Sequence, residues 1–365
     1  MRREYARRQR EESGRRSLAV LPVHYPKELL TALDVLAVEL WGPPGPPRGN
    51  AAGRLQAYVC AVVRNALAFL AAGGADAVDG VLFPHTCDSL QGLATLATDF
   101  GGWGKAAFVY QHARGPDRPS ARTFVEAELR SLARELEAFA GRRLEPARLS
   151  AALALHAEID RARAALLDGR ARLPVDDREL YALLRRGEWL WPEEHLAELR
   201  AAEARLALAA VQTGVPVLVT GYVPEPPAIL AALSQAGAYV AADDDAAVGR
   251  RIVRAVPAAG DPWKALVDKA FALPPCPTRG ADHAPRMAHL AALAERSGAR
   301  GVLVHVQKFC EPELFDVPAI RHAFEARNVP VLVVEGELER DLAGQVETRV
   351  EAFVEMLRAG GARAA

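Results

Sequence analysis

The sequence predicts an α/β protein built from two flavodoxin-like parallel-sheet lobes, joined by a helical segment and with a cleft between the lobes. Three observations carry this. Short apolar runs recur along the chain, most of them bounded by Gly, Pro or Asp, which is how strands covered on both faces read. Long amphipathic helical patterns separate them, and such alternation implies right-handed crossovers in a layered fold. Four of the runs fall on each side of a middle section, residues 120–213, that has no strand signal.

In the first lobe the runs are Leu18–Val23, Val35–Leu40, Val78–Phe83 and Ala106–Tyr110. The middle is helical by its punctuation. Thr123 and Glu126 have capping-box spacing and Gly141 closes that helix. Pro146 opens the next helix at a first-turn position and Gly169 ends it. Pro192 opens an Ala-rich helix running to about Gln212. The second lobe repeats the pattern with Val215–Thr220, Ala238–Ala242, Gly301–Val306 and Val329–Val334. Residues 1–16 hold seven Arg and three Glu and read as a flexible basic tail. The expected organisation is thus a tail over 1–16, a first lobe with its helical connector (about 120–213) over 17–213, and a second lobe over 214–365.

Half of the 365 residues are apolar and a quarter are charged, enough to bury a sizeable core. Lys and Arg number 45 against 46 Asp and Glu, so no excess of positive charge draws the chain to nucleic acid or an anionic membrane. The longest apolar stretch, Leu55–Gly73, is interrupted by Arg64 and Asn65 and does not read as a membrane span. Arg15-Arg16 is followed by an apolar run too short for an export signal. Four cysteines, Cys60, Cys87, Cys276 and Cys310, make no disulfide framework and suit a reducing compartment, so the expected location is cytoplasmic.

Most familiar motifs are absent. There is no G-x-G-x-x-G, and Gly101–Lys105 fails as a phosphate loop because Asp99 stands where the first Gly belongs and Ala106 replaces Ser or Thr. There is no G-x-S-x-G or H-E-x-x-H, and none of the nine His has metal-ligand spacing. Asp243-Asp244-Asp245 follows a strand run and reads as a strand-end turn or helix cap, or alternatively as a metal or ribose ligand. The cysteines say more. Cys87 and Cys310 each follow a strand run, at matching strand-to-helix turns of the two lobes. Cys60 falls early in a helix, where the positive helix end favours thiolate. By spacing alone the three are either buried small hydrophobes or thiolates that converge from distant positions; a structural zinc or redox-thiol role is a further alternative.

At these residues the sequence resembles the family of 2-hydroxyacyl-CoA dehydratase and benzoyl-CoA reductase subunits, over nearly the whole chain after residue 16. The similar segments are Tyr25-Pro26-Lys27-Glu28-Leu29-Leu30 through Leu40-Trp41-Gly42, Phe83-Pro84-His85-Thr86-Cys87-Asp88-Ser89, Lys308-Phe309-Cys310-Glu311-Pro312, and Gly344-Gln345 through Phe353. Glu225-Pro226-Pro227, Asp243–Asp245 and Ala259-Gly260-Asp261-Pro262 resemble the smaller subunits of benzoyl-CoA reductases.

The resemblance implies a [4Fe–4S] cluster on three cysteines, here Cys60, Cys87 and Cys310, while Cys276 falls in a family segment that is no ligand position. Three thiolates leave one iron of a cubane with an open or exchangeable site. Asp88 and Ser89 are implied as donors to cluster sulfurs if a helix starts there, Lys308 as a cation beside the cluster, and Gln345 as a residue of the cleft. Many relatives carry a Cys just after the paired Asp, where this chain has Ala246 and Ala247. The family further implies a paralogous second subunit, a separate ATP-dependent iron–sulfur activator and an acyl-CoA substrate, with dehydration or ring reduction as the reaction. The competing readings are a non-catalytic paralogue or scaffold subunit and a metal-free two-lobed binding protein.

Overall fold

The computed structural model describes residues 1–47, 51–173, 176–206, 211, 213–254, 260–338 and 341–362. Its contacts divide the chain into two units. The first is Met1–Arg161, Arg186–Ala197 and Val253–Leu273; the second is Ala162–Arg185, Glu198–Ile252 and Pro274–Ala365. The sequence suggests one boundary near Gly214, whereas Val253–Leu273 returns to the first unit. The reason is tertiary: Ala265, Leu266 and Val267 are buried in the first unit's core, a long-range contact that no local pattern announces.

All eight expected strands form. In the first unit, α1 (Arg2–Ser13) precedes β1 (Arg16–Val20), α2 (Lys27–Ala32), β2 (Val35–Glu39), α3 (Ala61–Ala71), β3 (Gly80–His85), α4 (Asp88–Thr95) and β4 (Ala106–Gln111). The strands pair in parallel in the order β2-β1-β3-β4. Parallel neighbours need crossover connections, and the helices supply them. The next helix, α5 (Pro119–Ala140), buries Val125, Leu129, Leu132, Leu136 and Phe139. That alternating spacing of four and three makes one apolar stripe, and burying each such side chain stabilises by about 1.5–3 kcal/mol. Gly141 ends α5 in a left-handed conformation, as its sequence signal implies. The Thr123–Glu126 pair is not its cap. The helix begins four residues earlier at Pro119, and the Thr123 hydroxyl donates to the Pro119 carbonyl one turn back, since Pro at a first-turn position already starts it.

Residues 2–13 are a helix where a flexible tail is expected. Tyr5 and Ala6 are buried with Leu36, Trp189, Leu190 and Trp191. The Tyr5 hydroxyl accepts the Trp191 backbone N–H at 2.9 Å, and its ring stands edge-on to Trp189 at 5.2 Å. Arg2 pairs with Glu188, Arg3 with Asp76 and Arg10 with Asp79. The basic stretch is thus ordered by partners up to 186 residues away, which local composition does not reveal.

The long α6 (Pro146–Asp168) and α8 (Pro192–Leu206) each contribute to both units, and α7 (Asp177–Arg185) belongs to the second. Residues 207–210 and 212, where the sequence expects α8 to continue, lie outside the described residues. Then come β5 (Val215–Gly221), α9 (Ala228–Gln235), β6 (Ala238–Asp245), α10 (Pro262–Ala272, in the first unit), α11 (His283–Ser297), β7 (Gly301–Gln307), α12 (Glu311–Glu325), β8 (Val331–Gly336) and α13 (Gly344–Ala362). The second sheet is parallel in the order β6-β5-β7-β8. One of its faces packs Leu218, Val302, Val304 and Val306 with Leu290, Leu293, Ile320 and Phe324. No described helix is long and apolar enough to cross a membrane.

Candidate functional site

The two sheets share one topology. In each, the second strand lies to one side of the first and the third strand to the other, so the switch point falls between first and third strands, β1/β3 and β5/β7. Crevices outside the carboxyl ends of such strands are where α/β sheets bind ligands. Cys87 follows β3 and Cys310 follows β7, so the two hold equivalent places in the two units. Each is also the residue that caps the N-terminus of the next helix, Cys87 for α4 and Cys310 for α12, and Cys60 caps α3 in the same way. At this position the helix dipole and the first backbone N–H groups favour a negative sulfur.

The local backbone explains the placement. Gly42 takes φ +82° and lies so close to α3 that an added Cβ would stand 2.8 Å from Asn65 Cβ. Asn65 in turn donates to the Pro43 and Gly45 carbonyls, each at 2.8 Å. This holds the connection that leads to Cys60 against its helix. Before Cys310, Phe309 adopts φ +63°, and the Cys310 N–H bonds the Gln307 carbonyl at 2.9 Å. After β1, Val23 and His24 both adopt positive φ. For a β-branched residue that is a strained backbone, of the kind found at functional loops.

Cys60 and Cys87 are electrostatically linked. Burial pushes the Cys87 thiol up to about 12 and the neighbouring Cys60 adds to this, while the backbone amides of Leu90 and Ser89 draw it down. Burial likewise raises Cys60, opposed by the amides of Val63 and Val62. All four cysteines are free thiols. The expected donors near Cys87 divide. α4 does start at Asp88, and the Ser89 amide acts on the Cys87 sulfur, but the Asp88 carboxylate is 85% exposed and pairs with Arg114. Lys308 is half exposed, with Nζ 4.0 Å from Glu337 and 5.2 Å from the centre of the Phe309 ring. Gln345 is exposed at the second position of α13.

Polar side chains that sequence spacing misses gather at the same strand ends. In the first unit, His85 Nδ1 meets Gln111 Oε1 and His112 Nε2 meets the His24 carbonyl. Among the described residues, buried His85 Nε2 and Thr86 Oγ1 have no hydrogen-bond partner. In the second unit, His305 Nδ1 and Gln307 Oε1 are buried without partners among the described residues, and burial lowers the His305 imidazole to about 4, keeping it neutral. The available signal was a polar residue inside an otherwise apolar strand run, as in His305 within Gly301–Gln307.

Asp243–Asp245 are neither an exposed turn nor a helix cap; they end β6 and are buried. Asp243 accepts from the Tyr181 hydroxyl and from the Gly249 and Asp245 amides. Burial lifts Asp243 to about 6, and burial together with the Asp243 charge lifts Asp245 well above its ordinary 3.8. Asp245 lies beside Gly221, where an added Cβ would collide with the His305 carbonyl and come within 3.0 Å of the Asp245 carboxyl. A raised carboxyl stabilises the fold below its unfolded value and loses that contribution as pH rises through the folded one. Asp245→Asn, neutral at every pH, is expected to gain on the wild type by up to about 1.4 kcal/mol per pH unit across that window. Thermal unfolding at pH 4 and pH 8 checks this, and an equal difference at both contradicts it.

Among the described residues, no three His, Cys, Asp or Glu side chains are gathered as a metal site. Cys60 and Cys87 lie in the first unit and Cys310 in the second. The chemistry of the donor set nonetheless fits an iron–sulfur cluster: soft sulfurs, each at a helix N-terminus, two of them near enough to repel as thiolates.

Comparison with known proteins identifies the family. The family described as 2-hydroxyglutaryl-CoA dehydratase, D-component, matches residues 22–357. The chain is 26% identical to the beta subunit of the lactoyl-CoA dehydratase of Anaerotignum propionicum, covering 95% of this chain and 93% of that protein. It is 24% identical to the beta subunit of the (R)-2-hydroxyglutaryl-CoA dehydratase of Acidaminococcus fermentans, over 94% and 93%. It is 27% identical to a subunit of the benzoyl-CoA reductase of Thauera aromatica, over 88% and 85%.

Proposed function

The chain belongs to the 2-hydroxyglutaryl-CoA dehydratase D-component family, and on that premise we propose that it is the iron–sulfur subunit of an enzyme that dehydrates a 2-hydroxyacyl-CoA or reduces an aromatic acyl-CoA. Cys60, Cys87 and Cys310 are the proposed ligands of a [4Fe–4S] cluster. The observation that carries this is their shared position: three cysteines far apart in sequence each cap a helix N-terminus. When bound, a cubane on three thiolates supplies low-potential electrons and one iron with an exchangeable position.

The chain's own groups then have defined tasks. The thiols give up their protons on ligation. The amides of Val62 and Val63 at Cys60, and of Ser89 and Leu90 at Cys87, stabilise the resulting negative sulfurs. The low exposure of Cys60 and Cys310, 7% each, keeps water away from most of their surface. Relatives that are each named as one subunit of a dehydratase or a reductase support a second, paralogous subunit. A separate ATP-hydrolysing iron–sulfur activator, an acyl-CoA thioester and a cytoplasmic location complete the proposal.

The test is conversion by the assembled enzyme. The chain is co-expressed with its paralogue, purified without oxygen and mixed with activator, ATP and a reductant. A 2-hydroxyacyl-CoA should lose water to give the enoyl-CoA, or benzoyl-CoA should be reduced in its ring. Failure with both substrate classes, in a preparation whose cluster spectrum is intact, contradicts the proposal.

A further inference from the structure

The Asp243–Asp245 segment has a second role, through Asp244. In the second unit Asp244, Arg250, Arg286, Glu313 and Asp316 form an ionic cluster in which no side chain is more than 3% exposed. Arg250 Nε donates to Asp244 Oδ2 at 3.0 Å, and its two terminal nitrogens meet both Glu313 oxygens, Nη2–Oε2 at 3.0 Å. Arg286 Nη1 donates to Asp244 Oδ1 at 2.8 Å and Nε to Asp316 Oδ2 at 3.1 Å. The Thr220 hydroxyl donates to Asp244 at 2.6 Å. Two arginines thus link the end of β6 to two acids on α12.

Those acids are the third and sixth residues of the helix capped by Cys310, and the helix is divided. Pro318 lies inside α12, and a proline there removes a backbone hydrogen bond and bends the axis. Beyond it, Ile320 and Phe324 anchor the helix in the apolar core. Before it, the fully buried side chains are Glu313 and Asp316, while Phe315 is 71% exposed. The half that carries Cys310 is therefore held by this buried charge cluster together with the partly buried Leu314 and Val317, and the other half by fully buried apolar packing. α4, which carries Cys87, lacks this device; its first-turn acid Asp88 is exposed.

We propose that Arg250 is the positioning residue for Cys310: its forked pair with Glu313 fixes the first turn of α12, and with it the sulfur. The placement of the thiol stands on the structure alone, and only its consequence for a cluster rests on the ligand reading above. The test uses Arg250→Met combined with Glu313→Leu, which removes both charges and leaves Asp244 paired with Arg286. In metal-free protein, Cys310 should be alkylated by iodoacetamide about tenfold faster than in the wild type as the turn opens more readily, with Cys60 and Cys87 unchanged. Arg250→Lys, which keeps the charge without the fork, should fall between. In iron-loaded protein, the double variant should shift the cluster's midpoint potential and electron-paramagnetic spectrum. Should the double variant not fold, Glu313→Gln, which keeps the shape, is read in the same way. A folded variant with wild-type Cys310 alkylation overturns the proposal. Faster alkylation in a chain whose wild type holds no iron upholds it and removes the cluster reading alone.

Discussion

Lys269→Met is expected to destabilise the first unit by about 3–5 kcal/mol, because it strips the cation from two buried carboxylates. Lys269 Nζ lies 2.7 Å from Glu28 and 2.9 Å from Asp160, and all three side chains are nearly buried. Against a typical total of about 5–15 kcal/mol, such a loss is large. The electrostatics give the pH dependence. Burial would raise the Glu28 carboxyl, but the charges of Lys269 and His156 outweigh it and hold Glu28 at about 2. A depressed acid contributes stability above its unfolded value of 4.5 and loses it as pH falls towards 2. Lys269 is opposed by burial too, yet Glu28 and Asp160 raise it, so its contribution is present below its ordinary 10.5 and lost as pH climbs past that. Without Lys269 the acids are best tolerated when protonated. The loss measured by urea unfolding should therefore be larger at pH 7 than at pH 4.5; an equal loss at both rules out charge as the cause.

Cys87→Ala should remove most of the bound iron while leaving the metal-free fold nearly as stable as the wild type. Three thiolates are the fewest in the proposed set, and one fewer leaves a cubane on two protein ligands. The Cys87 side chain is partly exposed, so its truncation leaves little cavity. Cys276→Ala is the matched control. Cys276 is fully buried, 3.0 Å from the Thr278 hydroxyl and 3.5 Å from Arg250, so its loss should lower stability and spare the iron. Iron retained in Cys87→Ala, or lost in Cys276→Ala with the fold intact, would reverse the assignment of ligands.

The strands were legible because they are largely apolar runs, most of them bounded by Gly, Pro or Asp, and two-sided burial leaves that signature whatever the rest of the chain does. The cysteines at the strand-to-helix turns were legible for the same reason, since Cys87 and Cys310 stand just past such runs. What local sequence hides is long-range. Residues 2–13 look like a charged tail until Trp189 and Trp191 are placed beside Tyr5. Asp243–Asp245 look like a turn because nothing nearby in sequence supplies Arg286, 42 residues away, or Tyr181, 62 residues away. His24, His85 and His112 share one sheet edge only because β1, β3 and β4 end there together, an alignment set by strand order rather than by spacing.

The proposed function requires that this chain hold an iron–sulfur cube on Cys60, Cys87 and Cys310. Iron and acid-labile sulfide, counted per chain after purification without oxygen, test it most directly. About four of each are expected, falling to background when all three cysteines are replaced by alanine. A wild-type chain free of iron, or a triple variant that keeps its full complement, would contradict it.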